Sequence, residues 1–87
     1  MEKYTFEHMQ AAGTFIIKPD NCLLHAITIN TTANGTITVY DSATATGKIV
    51  AVLKASVVEG SYLYDINLAN GLTIVLAANS DVTVSFT

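Results

Sequence analysis

Apolar residues recur at every second position through most of this chain. In residues 36–41, Ile37 and Val39 point one way, while Thr36, Thr38 and Tyr40 point the other. Residues 81–87 repeat the pattern, with Val82, Val84 and Phe86 set against Thr83, Ser85 and Thr87. Residues 62–68 place Tyr62, Tyr64, Ile66 and Leu68 on one side and Asp65 and Asn67 on the other. In residues 22–30, Leu23, His25, Ile27 and Ile29 fall on one face. A period of two is the signature of a half-buried strand, whereas a helix repeats every 3.6 residues. A shorter strand is predicted over residues 14–18, ended by Pro19-Asp20, because proline cannot donate to a ladder and Pro-Asp opens a turn.

Two segments break the alternation. Residues 49–53 (Ile-Val-Ala-Val-Leu) are apolar on both faces, and residues 72–77 are too, apart from Thr73. A strand apolar on both sides must be covered on both sides. Either these strands cross the middle of a barrel-like core, or one face of each meets a partner. On the second reading the partner surface comprises Val50 with Val52 and Val75 with Ala77.

Turn chemistry punctuates the strands. Asn34-Gly35 and Asn70-Gly71 each separate two strand-like runs, and Asn-Gly favours a two-residue hairpin turn whose central residues need positive φ. Gly47 and Gly60 close other connections. The count is about seven strands, with turn signals every 8–12 residues. That spacing predicts a single small antiparallel β-sandwich, with jelly-roll-like and immunoglobulin-like strand orders both open. Residues 13–87 form this domain. Residues 1–12 are a first strand, a short helix or an N-terminal arm.

Composition agrees and adds a constraint. Val, Ile and Thr supply 28 of the 87 residues, and β-branched side chains suit a pleated sheet. Apolar residues make up 51% and charged residues only 13%. A chain of this mass should fold to about 4,900 Å² of surface from about 13,300 Å² when open. So little interior cannot hide so much apolar side chain, and association with a partner or with further copies is expected.

Charge narrows the partners. There are four lysines and no arginine against seven carboxylates, giving a net charge of −3. Phosphate binding and base readout draw on Lys and Arg, so neither nucleic acid nor an anionic membrane is an expected partner. Residues 1–8 hold no apolar run of the kind that a secretory signal needs, and no run is long enough to span a bilayer. A single cysteine, Cys22, forms no internal disulfide, which fits folding in a reducing cytoplasm.

Candidate chemistry is sparse. Cys22 and His25 lie three apart on one strand, hence on opposite faces, which weakens them as a nucleophile–base or metal pair. His25 is expected on the apolar face, with a pH-sensitive interface as the sharper alternative. Asp20, Asp41, Asp65 and Asp81 sit near turns, where aspartate bonds its own backbone. Tyr40, Tyr62 and Tyr64 are expected to cover a sheet face, with a sugar-binding platform as the alternative. No catalytic residue, cofactor or metal is expected.

The run Gly35-Thr36-Ile37-Thr38-Val39-Tyr40-Asp41-Ser42 is followed by a Gly-Lys-Ile-Val strand. Then come Gly60-Ser61-Tyr62-Leu63-Tyr64-Asp65, Asn70-Gly71-Leu72-Thr73-Ile74-Val75 and Asp81-Val82-Thr83-Val84-Ser85-Phe86. Over residues 22–87 this pattern resembles small all-β virion structural proteins of tailed bacteriophages, of the capsid-decoration or head-accessory kind. The resemblance implies a non-enzymatic protein, made in the host cytoplasm, that self-associates (a trimer is favoured) and docks on the major capsid protein at the virion surface. Tyr4 and Phe6 would be apolar contacts of the N-terminal arm. The alternatives are a neck or tail accessory, or a carbohydrate-binding, adhesin-like module.

Overall fold

The computed structural model describes residues 3–87 and contains eight strands. They are β1 (Thr5–Met9), β2 (Gly13–Lys18), β3 (Cys22–Thr31), β4 (Ile37–Asp41), β5 (Lys48–Leu53), β6 (Gly60–Leu68), β7 (Leu72–Leu76) and β8 (Asp81–Phe86). No helix forms among the described residues. Sheet A has the order β1-β8-β3-β6 and sheet B the order β2-β7-β4-β5, and every pairing is antiparallel.

This order has a simple derivation. β1 pairs with β8, β2 with β7, β3 with β6, and β4 with β5. The chain is one long hairpin, tipped by the β4–β5 turn and wrapped over so that β3 meets β8 and β4 meets β7. Eight strands in two such sheets make a jelly roll, which settles the strand order left open above. The eighth strand is β1, so the sandwich extends to Thr5, and Met9 on β1 is buried in the core. Residues 1 and 2 of the expected arm lie outside the described residues.

The core fills the space between the sheets. Sheet A contributes Met9, Leu24, Ile27, Ile29, Val82 and Val84, and sheet B meets it with Ile37, Val39, Leu72, Ile74 and Leu76. Strict alternation explains β4 and β8, where every second residue is buried.

Alternation fails where a bulge intervenes, and two expectations change there. In β3 the register shifts between Leu24 and Ala26, so Leu24, Ile27 and Ile29 face inward. The inward set is therefore not Leu23, His25, Ile27 and Ile29, and His25 turns outward. The extra residue of the bulge inverts the pattern on one side of it. In β5 the register shifts between the partners of Val39 and Tyr40, leaving Val50 as the additional residue. Val50 packs on the core, while Ile49 and Val52 face solvent, so Val50 and Val52 do not share a face.

The two Asn-Gly pairs also differ from expectation. Neither closes a hairpin: residues 32–36 carry the chain from sheet A to sheet B, and so do residues 69–71. Neither Asn34 nor Asn70 has positive φ. The positive φ falls on Gly71 itself (+135°), and at both glycines backbone or Ala78 passes close by. A Cβ on Gly71 would lie 2.7 Å from the Lys18 carbonyl oxygen, and one on Gly35 would lie 2.8 Å from the Ala78 nitrogen.

Candidate interaction surfaces

Much of the surplus of apolar side chain predicted from composition is found on the outer faces of the two sheets, with Val58 exposed in the β5–β6 connection. On sheet B the register builds two rows across the strands. One runs Ile16–Thr73–Tyr40–Ile49 and the next Thr14–Val75–Thr38–Val52. None of these eight positions carries a charge. Ile16, Ile49 and Val52 are 57%, 52% and 56% exposed, and Val75 lies half-buried between its threonine neighbours. Thr73 is fully buried although it belongs to the outer face. Its hydroxyl donates to the Ser42 carbonyl at 2.9 Å, drawing the β4–β5 turn over the end of the face.

Of the residues expected to meet a partner, Val52 and Val75 share this face. Ala77 is exposed beyond the end of β7, and Val50 belongs to the core. Ile16 and Ile49 were missed by the sequence reading. Ile16 lies in a run whose alternation is blurred by Ile17, and the Val50 bulge moves the exposed position to Ile49.

Sheet A has a different outer face. The register gives a row Phe6–Ser85–Ala26–Leu63, with Phe6 and Leu63 at its ends 65% and 68% exposed. On one flank lies the polar row His8–Thr83–Thr28–Ser61, in which the Thr28 and Ser61 hydroxyls are 2.9 Å apart. His8 Nε2 sits 2.5 Å from Asp81 Oδ1, and the Asn30 amide donates to that same oxygen at 3.1 Å. The bonds from His8 and then from Asn30 hold the Asp81 carboxyl below the usual carboxylate range. On the other flank, His25 Nδ1 lies 2.5 Å from Asp65 Oδ1, and the His25 ring stacks on Tyr4 with centroids 4.0 Å apart. Asp65 has φ 50°, a left-handed conformation that aspartate tolerates better than most residues. The expected residues Tyr4 and Phe6 therefore both lie on this face, Tyr4 engaged with His25 and Phe6 standing free of the sheet.

The three tyrosines form no common platform. Tyr62 and Tyr64 pack inward on β6, whereas Tyr40 is on the outer face of sheet B. Cys22 is buried, and that burial pushes its thiol up from the ordinary value, against the smaller opposing pull of Lys18. It faces away from His25, as their spacing predicts. Among the described residues no cluster of three or more His, Cys, Asp or Glu is placed to hold a metal ion, and no pocket opens.

Comparison with known proteins places the fold. No family model matches the chain, and neither does any curated protein. Solved structures do. The core of Drosophila NLP, described for its pentamer formation and histone binding, superposes with a TM-score of 0.60 at 15% identity, covering 99% of this chain and 97% of that one. A Bacillus endospore appendage protein, from a family of disulfide-linked pili, gives 0.63 at 16% identity over 97% of this chain and 80% of its own. At such identities the likeness is one of fold.

Proposed function

We propose that this protein is a non-enzymatic, self-assembling structural subunit of a phage virion, a homo-oligomer that decorates the head by docking on the major capsid protein. The carrying observation is the outer face of sheet B, two rows of strand positions without a charge and with Ile16, Ile49 and Val52 more than half exposed. Solvent alone is a poor cover for such a face, and contiguous exposed apolar patches mark interaction sites. Two proteins of similar fold are described as assembling, one into a pentamer and one into pili, which supports self-association. The virion setting, and the trimer favoured for the unit, rest on the sequence resemblance over residues 22–87. A lattice suits small contact areas, because each neighbour raises the effective concentration of the next contact.

Sedimentation of the purified chain tests the assembly. A defined oligomer is expected, and Ile49→Glu with Val52→Glu should convert it to a folded monomer. A chain that stays monomeric at about millimolar concentration, where even weak contacts form, refutes this reading.

A further inference from the structure

We propose that the free edge of β1 pairs antiparallel with the β1 edge of a second copy across a two-fold axis, joining two four-stranded sheets into one of eight strands. This contact adds to the self-association proposed above and uses none of the sheet B face. Each sheet leaves two strands with one unpaired side, β1 and β6 in sheet A and β2 and β5 in sheet B. A free edge offers a row of unpaired N–H and C=O groups, and proteins commonly blunt it with a bulge that bends the strand away. Among the described residues, three of the four edges are bulged. The register gives an extra residue to β2 at Ile17, to β5 at Val50, and to β6 between Leu63 and Ile66, where Asp65 takes φ 50°. β1 keeps one register throughout, from Thr5 opposite Phe86 to Met9 opposite Val82. Residues 5–8 are all exposed, although Thr5 and Glu7 belong to the inward row that ends in buried Met9.

A bulged edge breaks the ladder that a straight strand forms, so the match for β1 on a second copy is β1 itself. The charge pattern then selects the register. Residues directly opposite in an antiparallel pair share a face, so the two-fold axis must pass through a residue position. An axis at Glu7 sets two carboxylates against each other, which destabilises a sheet. An axis at Phe6 sets Lys3 opposite Met9 and leaves Glu7 without a counter-charge. An axis at Thr5 sets Lys3 opposite Glu7 of the second copy, twice over by symmetry.

The same axis sets Tyr4 opposite Phe6 and Thr5 opposite its own counterpart. Opposite-charge, aromatic and threonine pairs are the cross-strand contacts that stabilise a sheet. Neither Lys3 nor Glu7 has an ion-pair partner among the described residues, so the pairing satisfies charges that the single chain leaves in solvent. It also covers part of Phe6, which stands 65% exposed. About five residues from each copy make a contact far smaller than a standard interface, so the pair is weak alone and forms at about millimolar concentration. Its main-chain hydrogen bonds supply affinity, and the alternating side chains fix the register.

The test uses the full chain with the sheet B face silenced by Ile49→Glu and Val52→Glu, which separates this proposal from the preceding one. Cys22→Ala removes the native thiol. In that background Thr5→Cys brings its thiol against its counterpart at a Cα separation of about 4.5–5.5 Å, inside the range of a disulfide. Phe6→Cys leaves its two about 8 Å apart, beyond that range. Both positions are exposed, so neither change disturbs the core. At about millimolar protein under mild oxidation, Thr5→Cys should form a covalent dimer on the order of tenfold faster than Phe6→Cys. Sedimentation equilibrium of the silenced chain carrying Lys3→Glu, or Glu7→Lys, should show association weakened about tenfold in each, because two symmetric pairs are lost at once. An equimolar mixture of the two should recover it, since Glu from one then faces Lys from the other. Glu7→Lys reduces the net negative charge and Lys3→Glu increases it, so a general charge effect would move them in opposite directions. Four results would each overturn the proposal: equal cross-linking of the two cysteine variants, faster cross-linking of Phe6→Cys, opposite shifts of the two charge variants, or a mixture as weak as its components.

Discussion

Gly60 and Gly71 form a matched pair that isolates one interaction. Their φ angles are +143° and +135°, both in a region that side chains rarely adopt. A Cβ on Gly60 would meet nothing within 4 Å, whereas one on Gly71 would sit 2.7 Å from the Lys18 carbonyl oxygen and 3.0 Å from that of Ser42. Gly60→Ala should therefore cost the backbone term alone, about 1–3 kcal/mol. Gly71→Ala carries that term and must also push two backbone carbonyls away by several tenths of an ångström. Neither carbonyl is the end of a flexible side chain, so the strain is shared by β2 and the β4–β5 turn. An additional cost of about 1–3 kcal/mol is expected, comparable with overpacking a core. At about 4–8 °C per kcal/mol for a domain of this size, the melting temperatures of the two variants should differ by about 10 °C. Urea titrations with a common m-value give the same difference at room temperature. If Gly71→Ala is no less stable than Gly60→Ala, the close approach of the two carbonyls does not govern this crossing.

Thr73→Val tests the bond that draws the β4–β5 turn over the outer face. It keeps the shape but removes the donor to the Ser42 carbonyl, so a loss of about 1–2 kcal/mol is expected in urea melts, together with faster amide exchange in residues 42–47. Stability should also fall at both ends of the pH scale. Asp81 is held below its ordinary value of 3.8, so the fold favours its ionised form. That contribution is present above pH 3.8 and disappears as pH drops through the lower folded value, and Asp81→Asn should flatten the acid limb. Cys22 and Tyr64 are raised above 9.0 and 10.0, mainly by burial, so the fold favours their neutral forms. Their contribution is full below those values and fades as pH rises through the higher folded ones. Cys22→Ala with Tyr64→Phe should flatten the alkaline limb of a urea-midpoint profile.

Much of the sandwich is legible in the sequence, because a half-buried strand writes its faces in alternate residues. Residues 37, 39, 82, 84 and 86 are inward in the fold as their alternation predicts. What the alternation cannot carry is the position of a bulge. One added residue at His25 and one at Val50 each reverse the faces, and no residue type marks either. Strand order is hidden for a related reason: Asn-Gly serves a crossing between sheets as well as a hairpin within one. Of the four positions that the doubly apolar segments mark as a partner surface, Val52 and Val75 lie on the outer face of sheet B, whereas Val50 packs on the core and Ala77 lies beyond the end of β7. The pairing of each histidine with an aspartate depends on register across strands 40 and 73 residues apart in sequence, and no local pattern encodes that.

The wrapped-hairpin order has a consequence for the birth of the molecule. β8, the last strand of this sequence to leave the ribosome, does not close an edge but fills the gap between β1 and β3. Until it arrives, β1 has no neighbour and sheet A exists as two separated pieces, β1 alone and the β3–β6 pair, so the nascent chain cannot complete its fold in order of synthesis. Ends that are distant in sequence must be joined late, a topology that slows folding and leaves unpaired strands open to the wrong neighbour. For a protein that carries large exposed apolar side chains on the outer faces of both sheets, that waiting interval is when a chaperone would matter most.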